Sequence, residues 1–139
     1  IYAGLRRHSH AESLPLNRAP LGSLRALKAG RILGLAADRD YTGQGMLLPF
    51  AGQMMSIPIG PAALAVQTSA TIIPVHLARR GLTRMHFQVG RPLRANPGVP
   101  KQQEVDRLMR ELVTTMTRFI ATAPAQWISF HDAWQTKKQ

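Results

Sequence analysis

Cysteine is absent from the 139 residues. Disulfides, zinc–thiolate sites and a cysteine nucleophile are excluded with it. Acidic residues are scarce too: seven Asp and Glu stand against 18 Lys and Arg, a formal net charge of +11. So large an excess favours an anionic partner, whether nucleic acid, an acidic membrane surface or a phosphorylated substrate. Arg outnumbers Lys, and its planar fork suits phosphate and carboxylate better. Aromatics make up only 6% and do not alternate with basic residues as a base-stacking platform requires, which argues against nucleic acid. No apolar run approaches the roughly 20 residues that cross a bilayer. Gly-x-Ser-x-Gly elbow, Walker loop, dinucleotide fingerprint and zinc spacing are all missing, so no metal or nucleotide cofactor is expected.

What is present is a folding composition. Hydrophobic residues reach 45% and charged residues 18%, which sets the chain apart from disordered sequences, and its length suits one domain. The opening Ile1-Tyr2-Ala3-Gly4-Leu5-Arg6-Arg7 lacks an initiator Met and resembles no signal peptide. It reads as the tail of a helix, and the chain as a fragment. The 12–18 segment reads as extended, with Pro15 at an edge. Pro20 opens a helix that carries Leu21, Leu24 and Leu27 and closes at Gly30. The unbroken run Ile32-Leu33-Gly34-Leu35-Ala36-Ala37 predicts a strand buried on both faces. Met46-Leu47-Leu48-Pro49-Phe50 is a second extended piece, and Pro61 suits the first turn of a helix over 62–68. The 71–77 and 85–89 segments read as neighbouring strands joined at Arg79-Arg80-Gly81. From about Lys101 to Thr122, Val105, Leu108, Met109, Leu112, Val113, Met116, Phe119 and Ile120 keep to one stripe of a helix. The class is α/β: a mixed sheet flanked by helices, with a long amphipathic helix near the C-terminus.

The sharpest local feature is Asp38-Arg39-Asp40, a cluster of charge at the C-terminal end of the predicted strand, where open α/β sheets bind ligands. Arg39 suits a phosphate or carboxylate clamp, with an Asp orienting it. An Asp there equally suits the cap of a turn, and the triplet alone does not choose. Phe50-Ala51-Gly52 and Pro58-Ile59-Gly60-Pro61 place two bends around a helix N-terminus. Free N–H groups there can hold an anion or a developing oxyanion, or simply belong to a strand-to-helix turn. The histidines form no recognisable catalytic motif. His8 lies four residues before Glu12, a gap one residue short of the His-x4-acidic pattern considered below. Trp127, Phe130, Trp134, Lys137 and Lys138 make an aromatic, basic end, suited to docking on the core or to lying on an anionic membrane.

Taken in order, these residues resemble the lipid A biosynthesis acyltransferase family. The resemblance runs through Gly30 to Ala37, Asp38-Arg39-Asp40, Pro49-Phe50-Ala51-Gly52, Pro58-Ile59-Gly60-Pro61-Ala62-Ala63-Leu64-Ala65, Ile73-Pro74-Val75, Pro124-Ala125-Gln126-Trp127 and His131-Asp132-Ala133-Trp134. The Asp-Arg-Asp form leans toward the phosphatidylinositol mannoside acyltransferase branch. The resemblance implies that residues 1–139 are the C-terminal part of a single acyltransferase domain. It implies transfer of a fatty acyl group from acyl-CoA or acyl-carrier protein to a hydroxyl of a membrane glycolipid, without a cofactor. The setting implied is peripheral, at the cytoplasmic face of the plasma membrane, against an anionic lipid surface. The family's catalytic His-x4-acidic pair is expected upstream of Ile1, so no catalytic residue is assigned in this chain. Arg18, Asp38, Arg39, Phe50, Gly60 and Pro61 are the expected substrate-binding residues. Ala51, where the family usually has a second Phe, and Gln53, where the mannoside branch tends to have Glu, depart from the pattern. A glycerophospholipid acyltransferase ranks lower because Phe-Pro-Glu-Gly is missing. The reading from another class is a basic membrane- or nucleic-acid-binding module without chemistry, whose affinity falls steeply with salt.

Overall fold

A computed structural model describes residues 11–15, 19–128 and 134. The expected helix tail over 1–8, together with His8, His10, Arg18 and His131, lies outside the described residues. Two compact units divide the chain, Ile1–Gly34 and Leu35–Gln139.

In the first unit, helix α1 spans Ala19–Lys28. Its end follows the sequence: Gly30 turns left-handed at φ 73°, its N–H reaches the Leu27 carbonyl, and the Arg31 N–H reaches the Ala26 carbonyl. That pair of bonds satisfies carbonyls the helix leaves open, and glycine adopts the required φ at least cost. Leu14 lies against Gly22, where a Cβ would meet its Cδ2 at 3.0 Å. Arg31 and Glu12 form an exposed ion pair at 2.7 Å, worth little in water.

The second unit is organised by helix α3, Lys101–Ala121. The predicted stripe is its inner face: Val105, Leu108, Met109, Leu112, Val113 and Ile120 are buried. Against it pack helix α2, Gly60–Thr68, and strand β1, Met46–Phe50. Strand β2, Gln53–Ile57, pairs antiparallel with β1 in the register Leu48↔Met55 and Phe50↔Gln53. Alternation sends Leu48, Phe50, Met55 and Ile57 to the core, while Leu47, Pro49 and Met54 stay exposed, as the period of two requires. Ala62 and Ala65 are the buried contacts of α2. Strands β3, Val75–Arg80, and β4, Arg84–Val89, form a second antiparallel hairpin. Pro74 has no N–H to give a ladder, so β3 starts after it, and Ile72 joins Leu93 only through an isolated bridge.

The α/β class and the long C-terminal helix hold. The sheet differs from the expected mixed one: among the described residues the strands pair as two antiparallel hairpins. Each hairpin closes through a turn of two or three residues, which only antiparallel neighbours can use. The 32–37 run is not a strand, and Ile32 is 99% exposed. An apolar run marks residues that burial would stabilise, but a two-sided strand also needs neighbours on both edges, and none pairs with it among the described residues. Strand β2 escaped the sequence reading because Gln53 and Ser56 interrupt its apolar pattern.

A buried carboxylate ties the approach to α3. Glu104 is 1% exposed, accepts the Asn96 N–H at 2.7 Å, and is gripped by the Arg107 guanidinium, which also bonds the Arg94 carbonyl. Hydrogen bonding from Arg107, then from the Asn96 backbone, holds the Glu104 carboxyl below its ordinary range against the opposing effect of burial.

The β1–β2 turn is two residues long, with Ala51 at φ 48° and Gly52 at φ 91°. Positive φ at both central positions is the primed turn that matches strand twist, and alanine tolerates it poorly. Ala51→Gly is expected to raise stability in urea unfolding by about 0.5–1 kcal/mol. An unchanged or lower midpoint would show that the alanine is unstrained.

Candidate functional site

The charged triplet divides its labour. Asp38 accepts a hydrogen bond from the Trp127 indole Nε1 at 3.0 Å, and the Arg39 guanidinium donates to the Ile128 carbonyl. Both residues therefore hold the segment that follows the 3-10 turn at Pro124–Gln126. An arginine has five N–H donors in a planar fork, so the bond to Ile128 fixes the side chain without using its capacity for an anion.

Asp40 faces inward upon its own loop. One carboxylate oxygen accepts the Thr42 N–H, the Thr42 hydroxyl and the Gly43 N–H at 3.0, 2.9 and 3.0 Å. The other accepts the Gly45 N–H and the Ser56 hydroxyl, both at 2.7 Å. Burial pushes this carboxyl up, but the bonds from Ser56, Gly45 and Thr42 outweigh it and hold the pKa down at about 2. Gly45 is required by proximity: a Cβ there would stand 2.5 Å from the Ile57 carbonyl oxygen and 2.7 Å from the carboxylate. The capping alternative thus describes Asp40, while Asp38 and Arg39 keep side chains turned toward the C-terminal segment.

Phe50 is fully buried. Its ring centroid lies 5.3 Å from that of Trp127 and 5.9 Å from that of Trp134, and the two indoles are 5.8 Å apart, all tilted. Such tilted stacking is favourable for aromatic quadrupoles. Trp127 is the shared member, bonded to Asp38 through its N–H and packed on Phe50 through its ring. Gly60 and Pro61 open α2, whose first turn has neither a side-chain cap nor an acidic residue. A Cβ on Gly60 would meet nothing within 4 Å; Pro61 has no N–H, so Gly60 carries the first N–H of this end, where the helix dipole is positive. No hydrogen bond or ring contact among the described residues joins Gly60 or Pro61 to the Asp38–Trp127–Phe50 group.

Two contacts were not legible in the sequence. The Gln126 side chain accepts the Arg79 N–H at 2.7 Å and donates to the Arg79 carbonyl at 2.9 Å, pinning the turn to the edge of β3. His76 stacks on Phe119 at 5.8 Å, and its buried Nδ1 has no partner among the described residues. A glutamine that mimics a strand leaves no periodic signal, and a histidine within a strand pattern looks like any pleat residue. Among the described residues no three His, Asp or Glu cluster as metal ligands do, and no helix is long and apolar enough to cross a membrane.

Comparison with known proteins gives concordant results. Residues 2–136 match the family described as bacterial lipid A biosynthesis acyltransferase. Over 127 residues the chain is 33% identical to a phosphatidylinositol mannoside acyltransferase of Mycobacterium tuberculosis, in strains CDC 1551 / Oshkosh and H37Rv alike, covering 88% of this chain and 38% of that protein. Over 128 residues it is 32% identical to a phosphatidylinositol mannoside acyltransferase of Mycolicibacterium smegmatis, covering 88% of this chain and 40% of that protein. The chain thus spans about two fifths of the length of the curated relatives it matches.

The Asp40 loop has a definite acid signature. A carboxyl whose pKa is depressed by folding adds stability above its unfolded pKa, near 3.8, and loses it as pH falls toward about 2. Asp40→Asn is expected to cost about 1 kcal/mol at pH 7, a modest figure because solvent screens a half-exposed loop. The gap between variant and parent should narrow from pH 4 to pH 2 in denaturant titrations. A gap independent of pH would show that the carboxylate charge plays no part.

Proposed function

Because the chain belongs to the bacterial lipid A biosynthesis acyltransferase family, we propose that it forms the acceptor-side wall of an enzyme that acylates a phosphatidylinositol mannoside. The observation that carries this reading is the 33% identity over 88% of the chain to proteins of that name, together with the Asp-Arg-Asp form of the triplet. The acyl donor is a thioester, acyl-CoA or acyl-carrier protein, and the acceptor is a sugar hydroxyl of an anionic glycolipid. Proton removal from that hydroxyl falls to the His-x4-acidic pair expected upstream of Ile1.

The residues present suit binding and orientation. Arg39, fixed by Ile128, offers its remaining N–H groups to the acceptor phosphate as a charge-assisted fork. Asp38 holds Trp127 and so keeps the aromatic wall in place over Phe50. The uncapped start of α2 offers the Gly60 N–H, Pro61 having none and serving to set the turn, to a phosphate or to the oxyanion that develops as the hydroxyl attacks the thioester carbonyl. The resemblance assigns Arg18 a substrate contact as well. The positive balance of +11 supports attachment to an anionic lipid surface at the cytoplasmic face of the plasma membrane, without a spanning helix.

The protein encoded by the complete reading frame is expected to release free thiol from acyl-CoA or acyl-carrier protein only when phosphatidylinositol mannoside is supplied. Arg39→Ala should lower kcat/KM by about tenfold or more, the usual loss for one charged contact. Replacement of the upstream histidine by Ala should abolish turnover. Absence of acyl transfer, with salt-sensitive binding to any polyanion instead, would replace this reading by the binding-module alternative.

A further inference from the structure

One face of the β3–β4 hairpin sets Val75 opposite Val89, Leu77 opposite Phe87 and Arg79 opposite Met85. Its five apolar side chains are between 53% and 61% exposed. The other face packs on α3 at the end away from the turn, while Arg80, Arg84 and His86 on it stay exposed. Ala78 is buried, His76 lies on Phe119 of α3, and a Cβ on Gly90 would stand 2.9 Å from Thr115 Cγ2. A two-stranded hairpin is marginal by itself, and sheets of α/β domains carry a layer on each face. Here one layer is in place and a regular apolar surface faces the other way.

We propose that this face of β3–β4 is an interior surface, covered by a helical polypeptide layer corresponding to the part of the curated relatives outside the matched stretch. Those relatives have most of their length outside it, since the match covers 38% and 40% of them. The chemistry of the face suits a helix with an apolar stripe and an acidic residue near its edge. The one charge on it is Arg79, at the turn end, and the Arg80–Arg84 pair belongs to the opposite face.

Two other occupants fit less well. Strand β4 pairs only with β3 among the described residues. Immersion in lipid would leave its outer N–H and C=O groups unsatisfied, whereas a helix packed on the face leaves the edge outside. A second copy would gain little. Two strands of six residues present roughly 200 Å², taking about 3.3 Å per residue and about 4.8 Å between strands. A stable dimer needs about 500 Å² or more on each side.

The test uses the 139-residue chain and, as probe, the polypeptide of the Mycolicibacterium smegmatis relative outside the matched stretch, purified separately and also co-expressed. The two pieces are expected to form a complex in which amide exchange slows across β3 and β4. The double variant Leu77→Ser, Phe87→Ser should weaken the complex by about tenfold or more while the free chain keeps its melting temperature. Failure to associate in both formats, or association that ignores the variant, would overturn the proposal. A lower melting temperature of the free variant would overturn it as well, since the face would then already be packed. So would a concentration-dependent dimer, or flotation with phosphatidylglycerol vesicles, that the same variant abolishes. Binding is read without turnover, and the proposal rests on family membership and not on the acceptor. A failed acylation assay therefore leaves it standing.

Discussion

Burial of one stripe of α3 is the interaction on which the second unit depends. Leu108, Met109, Leu112 and Val113 meet Leu48, Phe50, Met55 and Ile57 from the first hairpin and Ala62 and Ala65 from α2 in one cluster. Removing such side chains from water is worth about 1.5–3 kcal/mol each. The hairpins and the short helix are too small to persist by themselves, so they share the stability of the helix they cover. The alanines of α2 matter for their size, because they let two helix backbones come close where larger residues would hold them apart.

Around that core, charged groups define connections more than they add energy. Glu104 fastens the loop before α3 to its first turn, and Arg107 answers it from the next turn. Asp40 draws five donors into one loop, Asp38 receives the indole of Trp127, and Arg39 holds the Ile128 carbonyl. Each acidic group is matched to local donors, which is the condition for keeping a carboxylate away from bulk water. In a chain this poor in acid, three of its seven carboxylates are thereby committed to structure. Much of the positive charge is left to face outward. The aromatic group of Phe50, Trp127 and Trp134 joins the two roles, since it closes the core on one side and carries the Asp38 contact on the other.

The covering of the β3–β4 hairpin makes the same point by contrast. Its inner face buries Ala78 and half-buries His76 and Gln88, while Leu77 and Phe87 on its outer face are as apolar as core residues and stand exposed. Such a surface costs solubility unless something covers it.

Local periodicity was enough to read α3 to within a residue, α1 with its Gly30 terminus, β4, and the start of α2 at a proline, because each of these signals lies within a few consecutive residues. The α/β class and the family resemblance came from the same short-range order. The resemblance also marked Asp38, Arg39, Phe50, Gly60 and Pro61, but it could not say what each one touches. Tertiary structure decided that Asp40 serves its loop, that Asp38 meets an indole 89 positions away, and that Gln126 completes the edge of β3. It decided too that the 32–37 run, which reads as a central strand, pairs with nothing among the described residues. The reason is one of range. A residue's tendency to bury or to turn is a property of its own neighbourhood, whereas a hydrogen bond or a ladder belongs to two segments, and only the folded chain brings the second one near.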